Sequence, residues 1–299
     1  MERDPTKPIA LSTNSANTFN SCERKGYHRY FAKTGNDLDW TRPNYYGFGS
    51  AFHEVLEKCK HDSKRFRFEL VVNACEKECL NLDSDAPKLL ACLRSYWLLS
   101  AESALVPLHF EHWFENDLAC GKVDLILENP ADGTWLICDT KTSGISLSAT
   151  KRIELINDPQ MNLYGAFHDV IAERLGLEAD KWQGIAYREI EKPKQKYKLG
   201  ESFEEFHARV SEKGNPKYRE IILPKEELKW DNAYQNFLMT VKRARELQQE
   251  FINGTPTTSR QNFQSCKKFG TPCEYWSKCY DCLYTSQQSE KTVDILSIL

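Results

Sequence analysis

The sequence predicts an α/β fold in a single domain, on three observations. The chain reads as helices, a run of strands, a helix, one more strand and further helices. Its 299 residues, 40% of them hydrophobic, suffice for one large buried core. No internal repeat or low-complexity linker interrupts it. That order fits one α/β domain over 1–299 carrying a helical insertion better than two separate domains.

The elements follow in order. "STNSANTFNSCERKGYHRYFAK" predicts a helix capped by Ser12 to Ser15, with Phe19, Cys22, Tyr30 and Phe31 at roughly helical spacing. "GFGSAFHEVLEKCK" predicts a second, burying Phe52, Val55, Leu56 and Cys59. The span 63–107 is mostly helical, and strands are expected around 109–115, 121–128 and 135–141. A helix near 158–175 precedes a strand in "WQGIAYREI". The charged "EKPKQKYKLGESFEEFHARVSEKGN" reads as an excursion from the core, and a long helix covers roughly 230–253.

Composition removes some classes. No apolar run approaches the roughly 20 residues that cross a bilayer, and "MERDPTKPIALSTNS" lacks a signal peptide's basic and apolar regions. A cytoplasmic protein without membrane contact is expected. The net charge of -3 gives no overall pull toward nucleic acid, although a basic groove around an acidic metal site is compatible with it. Eleven cysteines in such a chain argue for reduced thiols or a metal site rather than a disulfide framework. Cys59, Cys75, Cys79, Cys92, Cys120 and Cys138 are scattered among apolar neighbours, as small core residues are.

The chemistry concentrates in "GKVDLILENPADGTWLICDTK", residues 121–141. "NPADGT" is turn chemistry between two β-prone runs. A hairpin symmetric about the gap between Ala131 and Asp132 sets residue 128 against 135, 126 against 137, and Asp124 against Asp139. Lys141, two residues further, points to the face of Asp139. Two carboxylates so close repel unless a cation lies between them, and Mg²⁺ is the hard ion that carboxylates hold. A lysine beside it can orient the attacking water or stabilise phosphoryl charge. Asp-x-Lys alone is a common triplet and would be compatible with solvated acids on an edge strand.

The flanking segments supply more. Gly49 and His53 in "GSAFHEVLE", Asp124 in "GKVD", Asp139 and Lys141 in "DTK", and Gln160 and Tyr164 in "QMNLY" stand in sequence between 49 and 164. This order resembles the PD-(D/E)xK nuclease superfamily, and within it the RecB-type group with AddB and the CRISPR-associated adaptation nucleases. The resemblance implies a restriction-endonuclease-like core, a mixed sheet with flanking helices, with its motifs within 45–175. It implies that His53, Asp124 and Asp139 bind Mg²⁺ or Mn²⁺, with the Thr140 backbone carbonyl as a further ligand. Lys141 would be the catalytic lysine, and Gln160 and Tyr164 would brace the site and meet DNA. Val123 stands where the family name has Pro, and Asp139 where Glu is common. Glu115, on the preceding strand, reads as structural or salt-bridged rather than as a ligand.

Cys266, Cys273, Cys279 and Cys282 crowd into the segment 260–284 as C-x6-C-x5-C-x2-C. Four thiolates can hold Zn²⁺ or an iron–sulfur cluster, and the spacing does not choose. The resemblance implies a [4Fe–4S] cluster on Cys22, Cys266, Cys273 and Cys279, clipping the two ends of the chain together. Cys282 is then spare, or it replaces Cys22.

For substrate, Lys192, Lys194, Lys196 and Lys198 alternate with Tyr197 interleaved, and an extended chain would offer all four to a DNA backbone. A solvated surface loop is the alternative. No sequence-reading module stands out. The expectation is therefore a Mg²⁺- or Mn²⁺-dependent exonuclease on DNA ends or single strands, in recombination, repair or phage replication, of bacterial, archaeal or phage origin. The alternatives are a DNA-binding accessory subunit and a structure-directed endonuclease. The apolar tip "KTVDILSIL" could dock on a recombination or replication protein or pack on the core.

Overall fold

The computed structural model describes residues 7–33, 44–144, 149–212, 217–255, 257–262, 264, 267–268, 271–273, 275 and 279. Cys266, Cys282 and the C-terminal tip lie outside them. The chain divides into two compact units. One comprises Arg42–Phe114 and Gly121–Tyr234; the other comprises Met1–Thr41, Glu115–Cys120 and Gln235–Leu299.

The first unit is a five-stranded sheet with helices. Its strands are β1 (Val106–Glu115), β2 (Cys120–Asn129), β3 (Thr134–Ser143), β4 (Trp182–Glu191) and β5 (Tyr218–Pro224), lying in that order. β2–β3 and β4–β5 are antiparallel and β3–β4 is parallel, so the sheet is mixed. The parallel step needs a crossover, supplied by α6 (Lys151–Ile156), α7 (Pro159–Ala166) and α8 (His168–Leu175). The predicted helix near 158–175 is thus two, parted at Phe167. β5 is a strand absent from the sequence reading. The β2–β3 register is the expected one, with Glu128 opposite Trp135 and Ile126 opposite Ile137; the paired ladder ends at Leu125 and Cys138.

α3 (Asn44–Lys58), α4 (Phe68–Lys77) and α5 (Ala86–Glu102) share a core of Phe52, Val55, Leu56, Val71, Leu89 and Leu93 with Ile190 of β4. Alternation gives the sheet two distinct faces. Leu125, Leu127, Leu136, Cys138 and Ala186 cluster on one, and Phe110 packs with them. On β4, Gly184 adopts φ +134°, and a Cβ there would lie 2.1 Å from the Leu223 carbonyl oxygen, so this close approach of β5 requires glycine.

His61 closes the end of α3 at φ 56° and is buried. Its Nδ1 lies 2.6 Å from the Tyr96 hydroxyl, and its ring stacks on Phe110 with centroids 5.2 Å apart. Burial pulls its pKa from 6.5 to about 4. An unfolded histidine takes up a proton below 6.5 while this one resists to about 4, so stability is intact above 6.5 and falls as the pH drops through that window. The shift corresponds to about 3 kcal/mol. His61→Asn, a residue tolerant of positive φ, should flatten the decline in urea-unfolding free energy between pH 6.5 and 4. The comparison is wild type minus variant, which cancels the opposite slope from Asp139, whose pKa burial raises.

In the other unit, the single N-terminal helix expected from the sequence is broken. α1 (Thr13–Ser21) is capped by Ser12, which exchanges hydrogen bonds with Ser15 as a capping box. Cys22 is extended (φ -165°, ψ 111°), and α2 (Glu23–Tyr27) and a π-helical turn (His28–Ala32) follow. The break has a cause at Glu23, whose carboxylate accepts from the Arg260 backbone N–H and pairs with Arg243 at 3.1 Å. The helix Trp230–Ile252, whose residues from Gln235 onward belong to this unit, matches the predicted long helix. Among the described residues no helix is long and apolar enough to cross a membrane.

Candidate metal centre and active site

Four elements of the sheet unit converge on one place. α3 brings His53, the β2–β3 pair brings Asp124, Asp139 and Lys141, and β1 brings Glu111. His53 Nε2 donates to the Thr140 carbonyl oxygen at 2.8 Å. That bond fixes the ring so that Nδ1 faces Glu111 Oε1 (3.7 Å) and Asp124 Oδ2 (3.8 Å). The Thr140 N–H donates to Asp124 Oδ2 at 2.9 Å, so one residue's backbone holds both side chains. His53, Glu111 and Asp124 each offer a ligand atom within 4.8 Å of the others. The expected set of His53, Asp124 and Asp139 is therefore not the tightest one; Glu111 completes the group, and Glu115 stays outside it.

Asp139 is fully buried, and Lys141 Nζ (2.8 Å) and Gln160 Nε2 (3.0 Å) both donate to its Oδ1. Gln160 also donates to the Tyr164 hydroxyl (2.7 Å), which donates to the Lys122 carbonyl (3.3 Å). α7 presents Gln160 and Tyr164 on one face because they are four residues apart. Asp158 caps the helix by accepting from Gln160 N and Met161 N, and Pro159 occupies the first turn, where its missing N–H costs nothing. Gly49 sits where a Cβ would merely touch Thr142 Oγ1 at 3.6 Å.

Glu111 was hidden by a local departure from strand geometry. Phe110 packs on the face of Cys138, whereas Phe114 stands against Phe167, ring centroids 6.4 Å apart, beside the helix that reaches Asp139 from the other face. Residues four apart on a regular strand share a face. The backbone leaves strand geometry between them, at Glu111, whose φ is 47°. That departure accompanies a Glu111 side chain turned toward His53, with Oε1 3.7 Å from Nδ1. No alternation pattern in "LHFEHWFE" signals it.

The charges are unbalanced. Burial, reinforced by Asp124, pushes the Asp139 carboxyl up to about 6. Burial opposes the charge on Lys141, but Asp139 and Asp124 outweigh it and hold the pKa above its ordinary value. His53 likewise titrates above 6.5: burial lowers it, and Asp124 and Glu111 more than compensate. Burial raises Glu111, yet the neighbouring His53 and Lys122 bring it below the usual carboxylate range. Asp139 Oδ2 and Glu111 Oε1 are buried without a hydrogen-bond partner. Buried carboxylate oxygens are seldom left so. An imidazole nitrogen and three carboxylates, two of which carry an orphaned oxygen, form a donor set suited to a hard divalent cation.

The remaining predicted residues lie elsewhere. Lys194, Lys196 and Lys198 are exposed along a non-helical stretch after β4. Lys192 departs from that strip: it is half-buried with Nζ 4.4 Å from the centroid of the Phe48 ring. Cys22 and Cys279 are buried and Cys273 is half-buried, all three in the other unit. Cys22 Sγ lies 3.9 Å from the Arg260 carbonyl oxygen. Among the described residues no cysteine joins a close group of metal ligands.

A comparison with curated proteins returns no match. Residues 10–280 match the family model of the PD-(D/E)XK nuclease superfamily. The match spans both units, and the mixed sheet with flanking helices agrees with a restriction-endonuclease-like fold. The chain belongs to the PD-(D/E)XK nuclease superfamily.

Proposed function

We propose that this chain is a Mg²⁺- or Mn²⁺-dependent deoxyribonuclease, acting as an exonuclease on DNA ends or single strands. The observation that carries this reading is the buried Asp139–Lys141 pair lying beside His53, Glu111 and Asp124 in a chain of this superfamily. His53 through Nδ1, with Glu111, Asp124 and Asp139, would hold the ion, and the Thr140 carbonyl keeps a second lone pair facing away from His53. A divalent ion in such a set supplies an activated water and polarises the scissile phosphate. Lys141 holds a positive charge where the phosphoryl oxygens gather theirs. Gln160 and Tyr164 keep Asp139 aimed. Lys194, Lys196 and Lys198 would track the DNA backbone.

The RecB-type reading includes a structural [4Fe–4S] cluster on Cys22, Cys266, Cys273 and Cys279, with Cys282 or a Zn²⁺ site as alternatives. The burial of Cys22 and Cys279 in one unit supports it. Iron and acid-labile sulfide in anaerobically purified protein would test it; zinc alone would replace it.

The deciding experiment compares linear with covalently closed circular DNA, single- and double-stranded, with Mg²⁺ or Mn²⁺, beside an Asp124→Asn control. Loss of linear DNA alone, abolished in the control, is the expected result. Cutting of circles would make it an endonuclease. Tight binding without cleavage would make it an accessory subunit.

A further inference from the structure

Lys122 occupies an unusual position. Its Nζ lies 2.5 Å from Glu111 Oε2 and 3.5 Å from Glu57 Oε2. Glu111 is 4% exposed and belongs to the candidate ligand group, whereas Lys122 is 45% exposed. The lysine backbone is held by the Tyr164 hydroxyl on its carbonyl. The backbone is anchored at this residue, and the half-exposed side chain extends from it to the two carboxylates.

We propose that Lys122 is a resident cation that a divalent ion displaces from Glu111, and that the released ammonium becomes a phosphate contact for DNA. The inference rests on the nuclease reading and deepens it, since it makes DNA binding depend on metal loading through one side chain. The chemistry is an ion exchange. Glu111 has one carboxylate, and with no ion bound its Oε2 is neutralised by the ammonium. A divalent cation among His53, Glu111 and Asp124 takes that negative charge and repels a lysine a few ångströms away. Glu57, 54% exposed, is a weak competitor, because exposed ion pairs contribute little. The ammonium is then left at the rim of the site, where a scissile phosphate would lie.

Each lysine that neutralises a phosphate adds about 0.9 to the slope of log affinity against log salt on duplex DNA, and about 0.7 on single strands. The test measures that slope by fluorescence anisotropy with labelled single-stranded and duplex oligonucleotides, varying KCl with and without fixed Ca²⁺ as a non-cleaving ion. Wild type should steepen by about one lysine's worth when Ca²⁺ is present. Lys122→Gln should bind with the wild-type slope without Ca²⁺ and fail to steepen with it, and Lys122→Arg should restore the response. Equal steepening in wild type and Lys122→Gln, or none in wild type, overturns the proposal. If wild type cuts DNA yet its slope ignores Ca²⁺, only the exchange fails. If wild type neither binds nor cuts DNA, the nuclease reading fails with it.

Discussion

Lys141→Ala is expected to lower the single-turnover rate of DNA cleavage by on the order of 10³-fold, the range lost when a positioned charge or acid–base group is removed. Two losses combine. The first is the ammonium itself, held at 2.8 Å from Asp139 and kept protonated by Asp139 and Asp124 against the effect of burial. The second falls on Asp139, whose carboxyl is already pushed up to about 6 by burial with Lys141 restraining it. Without that restraint it rises further and sits neutral at pH 7, which weakens it as a metal ligand. Lys141→Arg separates the two. It keeps a positive charge and so keeps Asp139 ionised, but it replaces a compact ammonium by a planar fork. Mn²⁺ affinity should then be near wild type while the rate stays down by about 10²-fold. Activity of Lys141→Ala equal to wild type would mean that the chemistry lies elsewhere.

What could be read from the sequence followed regular geometry. The turn residues between Glu128 and Trp135 set the hairpin register, and strand alternation then placed Asp124, Asp139 and Lys141 on one side. Helical spacing placed Gln160 and Tyr164 together, and their hydrogen bond is 2.7 Å. What escaped depends on departures from regularity or on distant partners. Glu111 points at His53 from a strand position with a positive φ, which regular alternation does not foresee. The helix breaks at Cys22 because Glu23 answers to Arg243 and Arg260, more than two hundred residues away. β5 follows a charged excursion, and its residues are mostly half-buried, so its apolar signal is weak. Spacing alone puts Lys192 on the surface with its neighbours, but Phe48 offers its ring as a partner.

Glu111→Gln puts the ligand that sequence patterning missed to the strongest test. The two side chains have nearly the same shape, so the change removes a charge with little change in packing. Expected is a fall in Mn²⁺ affinity of about 100-fold, the upper range for loss of a group that supports a metal site, with cleavage falling in parallel at limiting metal. Thermal or urea unfolding reads this without any DNA. At a Mn²⁺ concentration a hundred times the wild-type Kd, binding adds about 2.7 kcal/mol to stability; after a hundredfold loss the same concentration adds only about 0.4 kcal/mol. The metal-free variant loses the Lys122 pair but is relieved of a buried carboxylate with one oxygen unpartnered, so the Mn²⁺ increment within each protein is what is compared. Glu115→Gln, on the same strand and exposed, should keep the full Mn²⁺ effect. A positive φ at a buried glutamate is maintained at a cost of roughly 1–3 kcal/mol, which a metal ligand at this place would offset. Should the Mn²⁺ effect survive in Glu111→Gln, the ion is held by His53, Asp124 and Asp139, the set implied by motif order, and Glu111 serves only as the anchor for Lys122.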